Sequence, residues 1–392
     1  MWQNKHQQLF FLLALSFCFF IFKNPEPIFA QSGATTANVS GIVTDEEGGA
    51  IVKASITAVN LQTNQTREIQ TNDRGLFLIN ELPPGNYEIS AYAQGFSKRS
   101  GKFNIILGTT AYCNFILTVE AQQDIVEVIA TSIIDENKTA SSSNNDRSRI
   151  ESLPINRRNF LDFSLTSPRV TQDRTPQQGV AASSGLSFNG LPARNNSITI
   201  DGLDNNDAGP GAVRSTFSQE AVQEFQVVSD SYSAEFGKAL GGVINIVTRS
   251  GSNDLHSSLF FLNRNENLAA RNAFALVKPE FNQYQFGATL GGAIKKNKAF
   301  YFLSFERLSV KQNSIVGISD STIRSINNQG FPIRNGPIAF GLGTSTFLAR
   351  TDFQVAKNDN LYLRYNHGRT FNGAGEPFGD LIAGSRVADT NA

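Results

Sequence analysis

The chain has 392 residues with 34 basic and 34 acidic side chains, a balance that leaves no basic footprint for nucleic acid. Its length suits two or three domains. Charged residues make up only 17%, while Phe (31) and Gly (32) are abundant beside one Met and one Trp, which favours β-structure with many polar turns over a helical enzyme.

Residues 1–30 read as a secretory signal. Lys5 supplies the positive start, Leu9 to Phe22 is apolar except for Ser16, and Lys23 closes the run. Pro25 and Pro27 break any helix before Ile28-Phe29-Ala30, a tolerable cleavage pattern that leaves Gln31 as the new N-terminus. The apolar run of 14 residues is short for a membrane anchor, and no other segment has the length of a transmembrane helix. A membrane protein with this sequence therefore crosses as β-strands. Cys18 leaves with the signal, so the expected mature chain keeps only Cys113 and forms no internal disulfide.

Residues 37–120 carry short strands at regular spacing with Gly, Pro and Asn punctuation, the signature of a β-sandwich. Val39, Gly41 and Val43 open it, Asn72-Asp73-Arg74-Gly75 turns into Leu76 to Ile79, and Leu82-Pro83-Pro84-Gly85 leads into Tyr87 to Tyr92. Gly95-Phe96 turns once more, and Asn104 to Leu107 and Ala111 to Val119 complete the set. This order of motifs resembles the carboxypeptidase regulatory-like domain, a seven-stranded sandwich that accompanies other domains and is not itself catalytic. The only histidines are His6, His256 and His367, and neither H-x-x-E nor H-E-x-x-H occurs, so zinc-peptidase ligands are missing. No nucleophile elbow is present either, and no cofactor is expected.

Residues 121–135 form a short hydrophobic stretch and linker, with Asp124, Ile125, Val126, Glu127, Val128, Ile129, Ala130 and Thr131 at its centre. Alternation permits either a last sandwich strand or an extended segment captured by a partner through strand addition. Position, after the accessory domain, favours the second.

Residues 136–250 bring Ile150-Glu151-Ser152-Leu153-Pro154 before Arg157-Arg158-Asn159-Phe160. Ser187-Phe188-Asn189-Gly190 and Ile198-Thr199-Ile200-Asp201-Gly202 come next. Gln223-Glu224-Phe225 then precedes Tyr232 to Phe236-Gly237 and Gly241-Gly242-Val243-Ile244-Asn245. Together these motifs resemble the plug of TonB-dependent outer-membrane receptors, in the sandwich-bearing, Oar-like branch. Arg157-Arg158 stands where that family leads one to expect Gly-Arg. The resemblance makes Asn189, Gly190, Asp201, Gly202, Phe225, Phe236, Gly237, Gly241 and Gly242 the plug-motif residues, and makes residues 124–131 a TonB box. It also implies a TonB-type energising protein as periplasmic partner, a small substrate of unknown identity, and outer-membrane lipid around the barrel. The plug loop 203–217 is the candidate for substrate contact by fold analogy.

The residues give readings of their own. Ser197 to Ile200 alternates as a strand, and Asp201-Gly202 is a tight-turn dipeptide. Ser218 to Phe225 reads as a short helix with a Ser cap and an acidic first turn. Gly237 to Gly242 lacks the Gly-Lys-Ser/Thr ending of a phosphate loop and opens a strand. Asp201, Asp204 and Asp207 lack the central Gly and terminal Glu of a calcium loop and read as a solvated turn.

From residue 251 to 392 the alternation lengthens. Strands are expected at Ser257–Asn263, Gln283–Ile294, Ala299–Val310, Phe347–Ala356 and Asn360–His367, with a short turn at Lys295-Lys296-Asn297-Lys298 and a long loop from Ser309 to Ser345. Such alternation suits an outer-membrane barrel, although an ordinary soluble sheet has the same period. A plugged-lumen barrel of about 22 strands needs about 220 residues in strands alone. Only 141 residues follow Gly251, so the expectation is an N-terminal fragment holding the first strands of an incomplete barrel. The overall expectation is a mainly β chain with a seven-stranded sandwich, an α+β plug and the start of a barrel. Energy-coupled uptake is the leading function, and a cell-surface structural, adhesion or periplasmic interaction role is the alternative.

Overall fold

A computed structural model describes residues 35–119, 140–152, 160–172, 185–206, 213–232, 236–271, 278, 280–316, 319–330, 336–356, 359–373 and 390–391. The expected signal and the whole of the 121–135 linker lie outside these residues.

The first layer pair is the sandwich. One sheet joins β1 (Ala37–Asp45) to β4 (Leu76–Leu82) on one side and to β7 (Thr110–Tyr112) and β8 (Phe115–Leu117) on the other. The facing sheet has the order β3 (Thr66–Gln70), β2 (Ser55–Asn60), β5 (Gly85–Tyr92), β6 (Arg99–Ile105). Both β7 and β8 run parallel to β1, at residues 38–40 and 43–45, so the expected seventh strand is one strand broken in two. Period-two alternation along β1 buries Val39 and Val43 in a core shared with Ile56, Ile89, Phe77, Phe103 and Phe115. The Asn72–Gly75 motif has a mechanical reason: the Asn72 carboxamide accepts the N–H groups of Arg74 (2.9 Å) and Leu76 (3.0 Å), and Gly75 takes a positive φ of 72°.

The second body is a mixed sheet in the order β13 (Leu203–Asp204), β12 (Ser197–Ile200), β15 (Val243–Thr248), β14 (Val222–Asp230), β9 (Ser141–Asn145). Parallel pairing joins β12 to β15, and the other neighbours are antiparallel. β15 is buried at every position and β14 at most, which explains why Val243-Ile244 and Val227-Val228 read as continuous apolar runs. A helix (Arg147–Ser152), a 3-10 turn (Phe160–Thr166) and the small pair β10 (Val170–Gln172) and β11 (Leu186–Phe188) cover the sheet. Residues 218–225 depart from the expected helix. Ser218 does cap, accepting the Glu220 N–H at 3.2 Å, but the helical part is a single 3-10 turn (Gln219–Ala221) before β14 begins. β-branched Val222, Val227 and Val228 gain more from burial on the sheet than helix propensity returns.

The third body is an antiparallel meander of β16 (His256–Asn265), β17 (Phe281–Lys295), β18 (Ala299–Val316), β19 (Gly336–Gln354), β20 (Asn360–Gly373) and β21 (Thr390–Asn391). Several strands outrun their expected lengths. β18 continues to Val316, and the expected long loop contains a helix (Asp320–Asn328) and the first ten residues of β19. Gly336, Pro337, Gly341 and Gly343 hid that extension: they read as loop punctuation, although the stretch pairs with β18 residue by residue. At the opposite end Lys298 N–H closes on the Lys295 carbonyl at 3.1 Å, the expected tight turn. Leu259, Phe261, Phe286, Phe305, Leu361 and Leu363 are exposed on one face, whereas Gln285, Thr289, Ser304 and Thr346 are buried on the other. No helix among the described residues is long and apolar enough to cross a membrane.

Candidate functional site: the plug seat

The mixed sheet β13–β12–β15–β14–β9 packs on the face of the long strands opposite the exposed apolar one, and one hydrophobic core contains residues of both. Phe302 of β18 and Leu348 of β19 lie buried in the cluster that holds Ile198, Phe225, Val227, Ile244 and Ile246. Polar contacts then fix the seat at two places.

The first centres on Asp201. Asp201 and Gly202 take φ of 48° and 79°, the left-handed pair of a two-residue hairpin, so that Ile200 pairs with Leu203. This turn aims the carboxylate at the end of β15, where Thr248 donates its N–H (2.8 Å) and its hydroxyl (2.7 Å). From the barrel side Arg364 reaches the same carboxylate at 2.6 Å and Arg350 at 3.3 Å, and the Tyr362 hydroxyl donates to the Asp201 carbonyl at 2.8 Å. Arg350 is itself held: it pairs with Asp352 at 2.7 Å, donates to the Thr248 carbonyl and hydroxyl at 2.9 Å, and lies over the Tyr362 ring. The Asp201 side chain is 4% exposed and the two guanidinium-bearing side chains 12% and 15%. Charge-assisted bonds at that burial are strong as long as every partner is present.

The second place is at the start of β14. The Ser218 hydroxyl donates to Glu306 of β18 at 2.6 Å, and Gln285 of β17 holds the other Glu306 oxygen at 2.7 Å. Nearby, Arg249 stacks its guanidinium over Phe302, and burial together with the neighbouring Arg147 guanidinium lowers the Arg249 pKa.

Three domain descriptions match along the chain: a carboxypeptidase regulatory-like domain over residues 38–118, a TonB-dependent receptor plug domain over 135–243, and an outer membrane beta barrel domain over 247–326. The TonB-dependent transporter Oar of Myxococcus xanthus is 32% identical over 299 residues, which cover 71% of this chain. The chain belongs to the TonB-dependent receptors. It spans 27% of the length of that relative. Among solved structures, the outer membrane transporter YddB of Escherichia coli is 13% identical with a TM-score of 0.46, over 59% of this chain and 33% of its own. The siderophore receptor PirA of Acinetobacter baumannii is 18% identical with a TM-score of 0.43, over 61% and 33%. The receptor is an outer-membrane protein, and its long strands expose an apolar face.

Within this receptor the expected plug residues occupy distinct places. Asn189 and Gly190 form a second left-handed pair (φ 54° and 80°), and the Asn189 amide donates to the Ser229 carbonyl at 2.7 Å, tying the β11 turn to β14. Gly241 and Gly242 are buried because a Cβ at Gly242 would fall on the Phe188 ring and one at Gly241 on the Asn196 carboxamide. Phe225 is fully buried against Phe163, with ring centres 5.8 Å apart. Phe236 is half-buried and Gly237 exposed, away from the seat. The solvated turn expected of these aspartates is corrected at Asp201, which the packed strands bury in the seat, whereas Asp204 takes Lys238 at 3.0 Å on the surface, and its carboxyl is held below the ordinary range by the Asn206 N–H and by Lys238. Asp207 and residues 124–131 lie outside the described residues. The base of the 203–217 loop is stapled by Asn205, which binds the Ser215 carbonyl and hydroxyl at 2.9 Å. Sequence reasoning missed Arg350, Tyr362 and Arg364. Their one signal was charge on the inward phase of an alternating strand, where a barrel lumen or a plug must answer it.

Proposed function

We propose that this receptor chain is the plug-bearing part of an energy-coupled uptake system for a small substrate. What supports the reading is the seat itself: a plug held by a satisfied buried ion network is costly to release, and that release calls for work done on the plug from outside it. The kinship with a TonB-dependent transporter agrees. A TonB-type periplasmic protein is the proposed source, capturing residues 124–131 as an added strand. Under this reading residues 37–120, 136–250 and 251–392 are sandwich, plug and barrel, and the 203–217 loop meets substrate. The test is deletion of residues 124–131 in source cells offered ferric chelates, cobalamin, oligosaccharides or peptides as sole source of the nutrient. Loss of growth on one class, with the protein still in the outer membrane, is the expected result. Uptake that persists undiminished on every class that the intact receptor supports sinks the transport reading and leaves a surface-interaction role.

A further inference from the structure

The sandwich does not hang free of the plug. Its β6–β7 connection inserts Leu107, which is fully buried yet belongs to neither hydrophobic core, against β9 and β14. There the Glu224 carboxylate accepts the Leu107 N–H at 3.1 Å, the Gln226 amide donates to the Leu107 carbonyl at 3.3 Å, and the Asn144 amide donates to that carbonyl and, at 3.3 Å, to Glu224. Gly108, with φ of 63°, permits the close approach, because a Cβ there would strike the Gln226 amide. A second contact steadies the sandwich from the other side. The Asn253 N–H donates to the Gln62 carbonyl at 2.9 Å, and Asn64 and Gln65 reach Asn297 and Asn360 at the barrel turns at 3.1 and 3.4 Å.

We propose that the Leu107 joint is a pH-responsive clasp between sandwich and plug, closed in acid and loosened toward neutral pH, with the Glu224 carboxyl as its titrating group. Glu224 is buried by the docked sandwich, and among the described residues the groups that donate hydrogen bonds to its carboxylate, the Leu107 N–H and the Asn144 side chain, are uncharged amides. Burial pushes its carboxyl from 4.5 up to about 7, Asp146 beyond the end of β9 adds to the rise, and the Asn144 and Leu107 donors oppose it. The β6–β7 connection offers Ile106 to Thr109 and no titratable side chain, the facing β15 residue is Val247, and Arg149 engages the Asn144 carbonyl.

The sign follows from linkage. Undocking exposes Glu224 and returns its carboxyl toward the ordinary value, so the docked form binds the proton more tightly. Docking is therefore strongest below the undocked value, weakens by up to tenfold per pH unit between about 4.5 and about 7, and levels off above. The whole loss amounts to roughly 300-fold in the docking equilibrium. Asn144 lies on β9, the plug strand reached first from the linker, so the clasp and this edge strand loosen together.

The test uses the receptor in outer-membrane fragments, with spin labels at the exposed positions Lys98→Cys on the sandwich and Ser148→Cys on the plug. Cys113 is buried and stays unlabelled. The distance distribution is expected to be narrow at about pH 5 and broad at about pH 8. Glu224→Gln, which keeps the shape without the charge, is expected to stay narrow at both. Should Glu224→Gln fail to fold, Asp146→Asn, which keeps a helix-capping side chain, is expected to retain more of the docked form at the higher pH than the wild type. A wild-type distribution that does not change with pH, a pH response that survives in Glu224→Gln, or an Asp146→Asn response equal to wild type overturns the proposal.

Discussion

Asp201→Asn is the perturbation that isolates the plug seat. Asn tolerates the left-handed backbone that Asp201 adopts at φ 48°, so the hairpin keeps its shape and only the charge is lost. The neutral amide can still accept from Thr248, but it no longer balances Arg364 at 2.6 Å and Arg350 at 3.3 Å. Removing one member of a buried ion network costs about 3–5 kcal/mol. Arg350 keeps Asp352 and the Thr248 carbonyl, so the uncompensated charge falls mainly on Arg364, and we expect about 2–4 kcal/mol. The assay is hydrogen exchange at the Thr248 amide, which Asp201 holds at 2.8 Å, with the Val43 amide of the sandwich as internal control. Protection at Thr248 should fall about 30- to 700-fold while Val43 is unchanged. A double-mutant cycle with Arg364→Gln should return a coupling of about 1–3 kcal/mol. Thr248 protection within about threefold of wild type would refute the claim that these charges hold the plug.

Other outcomes follow from packing. Phe225→Ala removes a ring that is fully buried beside Phe163, and plug stability should drop by about 3–5 kcal/mol in chemical denaturation. An unchanged midpoint would mean that the plug core closes over the gap. Burial pushes the Cys113 thiol up to about 12, so it should resist alkylation at neutral pH until denaturant is added, and rapid labelling of the native chain would contradict the sandwich core.

The sequence by itself determined what is local. Turn chemistry at Asn72–Gly75 and Asp201-Gly202 and alternation along β1 each act within a few residues, so propensity and period suffice to read them. The strand pattern from 347 to 354 likewise told which side chains share a face, and the exposed Phe347 and buried Leu348 sit as that pattern requires. Two readings went astray where local and tertiary preferences compete. Residues 222–225 join a sheet instead of a helix because β14 gains two neighbours, and residues 336–346 extend β19 because β18 supplies a ladder that overrides the loop signal of Gly336, Pro337, Gly341 and Gly343. Only the tertiary structure decided which charges meet. Asp201 and Arg364 are 163 positions apart, and Leu107 and Glu224 117, distances over which no spacing rule operates. Their pairing exists because folding the plug sheet against the inward face of the barrel strands, and the sandwich against the plug, removes water from groups that cannot stay buried alone.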